Sequence, residues 1–260
     1  MSITRSLALA SVALCAGASA AVASDLPTMK GPPPAPTPAP YSWTGFDIGL
    51  QAGYGWGVEN DDLSTTDFIE VPIDHFSANG AFGGAHVGYD QQIGSLVLGV
   101  RGEFDATGLN GSTFGTSTTN VISACEGCSV TDASLAFRNT WQAFLLGRAG
   151  FAFDRVLVYA TGGLAIGDDR ENVTATQTFE GGIGASPSET WTGSQTKTLV
   201  GGAIGLGAEY ALDNHWRIGA EWRYVDFPKG DYSATSAFNT VTYKAGFSEN
   251  LASLVLSYGF

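Results

Sequence analysis

Charge is the first thing this chain has little of. Asp, Glu, Lys and Arg together make up 14% of its 260 residues, where water-soluble domains carry about a quarter. Basic residues are the scarcest: 12 Lys and Arg stand against 25 Asp and Glu, a net charge of −13. Nucleic-acid binding needs clustered Lys and Arg, so a nucleic-acid partner is excluded. Beyond the N-terminal segment there is no run of 18 apolar residues, which removes any helical membrane span. Long amphipathic helices are missing too, because Gly, at 35 residues, interrupts every candidate window. What remains is 44% hydrophobic and rich in Gly, Thr and aromatics, the composition of a β protein.

Residues 1–23 read as a secretory signal peptide. Arg5 supplies the positive start, Leu7 to Ala16 the apolar stretch, and Ala20 or Ala23 the residue before cleavage, with Ala23 preferred. Cys15 follows a bulky Leu14, against lipid attachment. Residues 24–42 form a linker in which Pro32, Pro33, Pro34, Pro36, Pro38 and Pro40 favour extended polyproline II. A cell-wall contact through this linker is a possible use of it.

The C-terminal stretch Asn250–Phe260 places Ala252, Leu254, Leu256, Tyr258 and Phe260 on one face of a strand. A strand with a wholly apolar face that stops on an aromatic fits the closing strand of an outer-membrane barrel. Leu256, Tyr258 and Phe260 resemble the terminal signal read by the barrel-assembly machinery. Seven further stretches repeat the alternation. The clearest is the first, with Phe46, Ile48, Leu50, Ala52, Tyr54 and Trp56 on one side. The others lie near 80–91, 96–106, 141–153, 156–167, 198–210 and 216–227. Connections alternate between tight turns at 92–95, 154–155 and 212–215 and long segments at 58–78, 107–138, 169–196 and 228–248. The expected fold is all-β: an eight-stranded antiparallel up-and-down transmembrane barrel over residues 43–260, with short periplasmic turns and long outer loops.

The opposite faces collect Asp47, Asp90, Glu103, Asp105, Glu209 and Glu221 with Arg101, Arg148, Arg217 and Arg223. Eight strands enclose only enough room for side chains. The expectation is therefore an interior plugged by paired charges, with interior Gly making room for Arg. A narrow ion-conducting path is the alternative. A lipocalin-like carrier would have the reverse polarity, an apolar cup inside and charges outside.

Little else suggests chemistry. Cys125 and Cys128 form a C-x-x-C in the second long segment; outside the cytoplasm a disulfide is the expectation. No metal, cofactor or catalytic set is expected. Of the three His, His75 sits in a loop and His215 in a turn, and only His86 is on a strand, facing in. That leaves a lipid-A-modifying enzyme or a haem binder as third readings.

Ser42–Phe46 with Gln51–Gly57, Gly147–Ala152 with Tyr159–Ala165, and Glu221–Phe227 resemble the small outer-membrane β-barrel family of alpha-proteobacteria. The resemblance spans about 43–260. It implies an outer-membrane location, eight strands and kinship with surface antigens often labelled porins, some of which are reported to bind haem. Cys125 and Cys128 are not part of it. The function expected is a structural or surface-interaction role in the outer membrane. Lipid, lipopolysaccharide and the assembly machinery are the expected partners.

Overall fold

The computed structural model describes residues 41–59, 77–120, 128–180, 188–236 and 240–260. The expected signal peptide 1–23, most of the expected linker 24–42, His75 and Cys125 lie outside them, as does the side chain of Cys128. Ten strands form one antiparallel sheet: β1 (Gly45–Glu59), β2 (Ser77–Ile93), β3 (Leu96–Thr107), β4 (Asn110–Asn120), β5 (Cys128–Arg138), β6 (Trp141–Phe153), β7 (Val156–Glu180), β8 (Ser188–Ala211), β9 (Trp216–Thr235) and β10 (Thr240–Gly259). β1 pairs with β2 on one side and with β10 on the other. The ring β1-β2-β3-β6-β7-β8-β9-β10 is therefore closed, eight strands around.

The extra pair, β4 and β5, builds the same wall higher up. β3 and β4 share one register on β2: Phe82 faces Thr107, and three residues along each chain Asn79 faces Asn110. β5 and β6 both pair with β7. Each is a continuous rod interrupted once. The interruption at 107–109 and 139–140 is stitched by Gly108 N–H to Ala81 O (2.9 Å), Thr107 N–H to Thr140 O (2.9 Å) and Asn139 N–H to Leu109 O (3.0 Å). The Asp168 carboxylate accepts the amides of Thr140 and Trp141 at 2.8 and 2.9 Å. Much of what reads as outer loop in the sequence at 107–138, 169–196 and 228–248 is thus strand. The ladder runs on past the membrane because its inner face turns largely apolar there and packs into a core.

The wall changes polarity along its height. In the lower part the outward side chains are apolar and exposed, Leu206, Ile204, Leu254 and Phe151 among them, and the inward ones are charged. In the upper part the outward residues are mostly polar, Ser134, Asn172, Thr174, Thr192 and Ser194 among them, with Phe114 an exposed exception. The inward ones are mostly apolar, with Leu109, Leu135, Phe137, Val173, Trp191 and Phe247 buried beside Asp169 and Glu171. The lower belt meets hydrocarbon and the upper wall meets water, so each surface takes the polarity of its solvent. Leu206→Arg is therefore expected to cost about 2–4 kcal/mol, as a charge near the bilayer midplane does. Thr192→Arg is expected to be near neutral. Urea midpoints of the two variants in lipid vesicles check the contrast.

The tight turns at the lower end carry their own locks. Asp154 takes a left-handed backbone (φ 54°) in the β6–β7 turn, as two-residue hairpins demand. In the β8–β9 turn the Asp213 carboxylate accepts the amides of Trp216 and His215, both at 2.7 Å. Those bonds hold its pKa below the ordinary carboxylate value. A depressed pKa adds stability above the unfolded-state value of about 4 and loses it as pH falls through the folded one. Asp213→Ala is thus expected to lower the unfolding midpoint at pH 7 and to lower it less as the carboxylate becomes protonated in acid.

Candidate functional site: the barrel interior

Four arginines and seven carboxylates project into the ring from alternate strand positions, all buried; the seventh acid, Glu249 on β10, accepts from Gln142 and falls outside the expected set. Arg101 lies 3.0 Å from Glu209, 3.6 Å from Glu221 and 3.9 Å from Glu103. Arg148 reaches Glu209 at 2.7 Å and Asp90 at 2.9 Å. Arg223 bridges Glu221 at 2.5 Å and Glu103 at 2.7 Å. Arg217 is 3.8 Å from Asp90. Glu209 thus joins two arginines, and the pairs form one connected network.

Neutral groups complete it. Gln51 donates to Asp105 at 2.8 Å. The Tyr159 hydroxyl donates to Glu221 at 2.9 Å, and its ring lies 3.8 Å under the Arg148 guanidinium, a cation–π contact. Interior glycines admit these groups, though arginine is not the main beneficiary. A Cβ on Gly207 would strike the Tyr159 ring, and one on Gly49 would strike His86. Among the arginines, Arg217 lies over Gly259.

The network is capped above and below. Above it Phe82, Phe144, Leu146, Phe227 and Leu251 join the upper apolar core, where Phe137 and Phe247 pack at 4.5 Å between ring centres. Sequence reasoning treats much of this upper core as loop. The signal that betrays it is the alternation Ala133, Leu135, Phe137 against Asp132, Ser134, Arg138. Below, Tyr41 and Trp43 fold into the base and pack with Val97, Leu157, Tyr159 and Ala211. The Trp43 indole N–H donates to Asp154 O at 3.1 Å, and its amide to Gln92 Oε1 at 2.8 Å. Arg217 Nε donates to the Tyr41 hydroxyl at 2.8 Å. The expected linker 24–42 thus has at its end a tyrosine that belongs to the barrel base. Between the caps lies a cavity of about 10 Å3 lined by Gln51, His86, Arg101, Asp105 and Glu221 among others, room for about one water.

One grouping imitates a catalytic set. His86 lies 3.1 Å from Ser257 Oγ and 3.4 Å from Asp47. Both contacts fall on Nε2, while Nδ1 faces Gln51 at 2.8 Å. A hydrolytic triad needs the serine and the acid on opposite ring nitrogens. Among the described residues, no group of three or more His, Cys, Asp or Glu is placed to hold a metal.

An antiparallel ring closed first strand to last, greasy outside and ion-paired within, defines a membrane-spanning β-barrel of the outer-membrane class. The chain belongs to the outer membrane protein beta-barrel domain family, which it matches over residues 6–248. It is 34% identical over 235 residues to the 31 kDa outer-membrane immunogenic protein of Brucella melitensis biotype 1, covering 86% of this chain and 88% of that one. It is 26% identical to the 22 kDa outer membrane protein of Rhizobium leguminosarum bv. viciae, covering 87% and 82%. Similar solved structures include the outer membrane protein OprG of Pseudomonas aeruginosa (13% identical, TM-score 0.40, covering 84% of this chain and 98% of that one). The expected family, its alpha-proteobacterial relatives and the outer-membrane location thus stand.

Proposed function

We propose that this protein is a sealed, non-conducting outer-membrane barrel whose role is structural and surface-directed. The observation that supports this reading is the interior of the described residues, filled from the Tyr41–Trp43 base to the upper apolar core, with a cavity between them that admits about one water. An open channel needs a continuous wet path, and here arginines and carboxylates occupy that path as partners. The His86 grouping has the wrong geometry for hydrolysis, which supports a non-enzymatic reading. Outer-membrane lipid and lipopolysaccharide around the belt, the assembly machinery at Leu256, Tyr258 and Phe260, and the cell wall through residues 24–42 are the contacts this role calls for. Purified folded barrel in a planar bilayer is expected to give no discrete current steps. Reproducible steps of uniform size would instead favour the narrow porin.

A further inference from the structure

We infer that Arg138 and Arg170 form a docking site for the phosphate groups of outer-leaflet glycolipid. Most of the described basic residues are spent inside the barrel or at its base. Arg138 and Arg170 are exceptions: both are exposed on the outer face. They are direct cross-strand partners on β5 and β7. Like charges placed opposite each other in a sheet repel. Each interior arginine has a carboxylate within 4.0 Å; among the described residues these two have none. The neighbouring Glu171 does not relieve them, because its side chain is buried on the other face. Two adjacent uncompensated guanidinia on a chain of net charge −13 call for an external anion.

Their height selects which anion. Arg138 stands three residues above Trp141, whose ring stacks on Phe104 at 6.0 Å to mark the upper aromatic girdle. Arg170 stands four residues above Ile166, an exposed apolar residue of β7. At about 3.3 Å per residue and a tilt near 40°, the pair stands about 8 Å above Trp141 and about 10 Å above Ile166. A side chain as long as arginine reaches from there into the headgroup layer. The register extends the row: Asn110 flanks Arg138 on β4 and Thr196 flanks Arg170 on β8, both exposed. Four polar side chains therefore lie side by side at one level, with two planar forks at the centre. Guanidinium forks match phosphate oxygens in pairs, so phosphorylated lipid A headgroups are the occupant.

The inference rests on the outer-membrane location, not on the sealed lumen, which the bilayer recording tests separately. Its own test takes the full mature chain, folded in detergent and incubated with lipid A carrying both phosphates or with the dephosphorylated form. Bound lipid is counted by native mass spectrometry. Wild-type barrel is expected to retain the phosphorylated form at least fivefold over the dephosphorylated one. R138Q/R170Q is expected to lose that preference, R138K/R170K to keep part of it, and R155Q at an inner turn to keep all of it. A heat-modifiable band on a gel confirms folding of each variant. Equal retention by wild type and R138Q/R170Q overturns the inference. So does full displacement of lipid A by millimolar inorganic phosphate, which would make the site one for free phosphate.

Discussion

Glu209→Ala is expected to destabilise the folded barrel by about 3–5 kcal/mol, the cost of stranding buried charge. Glu209 is the shared acid of Arg101 and Arg148, at 3.0 and 2.7 Å. Removing it leaves Arg148 with Asp90 and Arg101 with longer contacts to Glu221 and Glu103. Urea titration of refolded protein in detergent micelles measures the loss. Adding Arg101→Met to Glu209→Ala removes the cation left without a close partner, while Glu221 and Glu103 keep Arg223, and is expected to return part of it. A loss below about 1 kcal/mol would mean that the pairs behave like surface ion pairs in water. The interior would then be hydrated, and the sealed reading would fail together with the large effect.

Trp43→Ala carries a comparable effect at the other end. Trp43 is completely buried, although it precedes the first strand. Its ring meets Tyr41 edge-on at 5.0 Å and lies 4.9 Å from the Arg217 guanidinium. Truncating a buried tryptophan costs about 3–5 kcal/mol. Trp43→Phe keeps most of the volume and forfeits the indole bond to Asp154, a loss of about 1 kcal/mol. The two variants, compared by urea midpoint, separate packing from hydrogen bonding. Should Trp43→Ala cost no more than Trp43→Phe, the residues before β1 are a loose tether and not part of the barrel base. The same variant thins the base seal, so recording its bilayer current beside the wild type checks whether the upper core closes the barrel without help.

The lower half of this molecule is written plainly in the sequence. Phe46, Ile48 and Leu50 alternate with Asp47, Gly49 and Gln51, and a two-solvent wall leaves no other arrangement. The interior arginines and acids follow from the same alternation, since every inward position is fixed once the outward ones are. The upper half is harder to read because its polarity is reversed and its signal diluted. Thr174, Thr176, Thr190 and Thr192 look like loop residues when a lipid-facing strand is sought, yet they are the wet side of a strand. Val173 and Trp191, one residue away, are buried. The Tyr41–Trp43 base escapes alternation altogether, because it is held by contacts to residues more than a hundred positions distant, Asp154 in a turn and Arg217 on β9. Which acid serves which arginine is likewise a matter of strand register and rotamer, not of sequence spacing.

The reversal of polarity above the belt has a consequence for anything that recognises this protein from outside the cell. An antibody or phage adhesin landing on the segments 132–138 and 170–178 meets a rigid ladder in which alternate residues are withdrawn. Asp132, Ser134 and Arg138 are on offer while Ala133, Leu135 and Phe137 are not. A synthetic peptide copying either stretch displays both sets at once, so antisera raised on it would be spent largely on residues that the intact bacterium never shows.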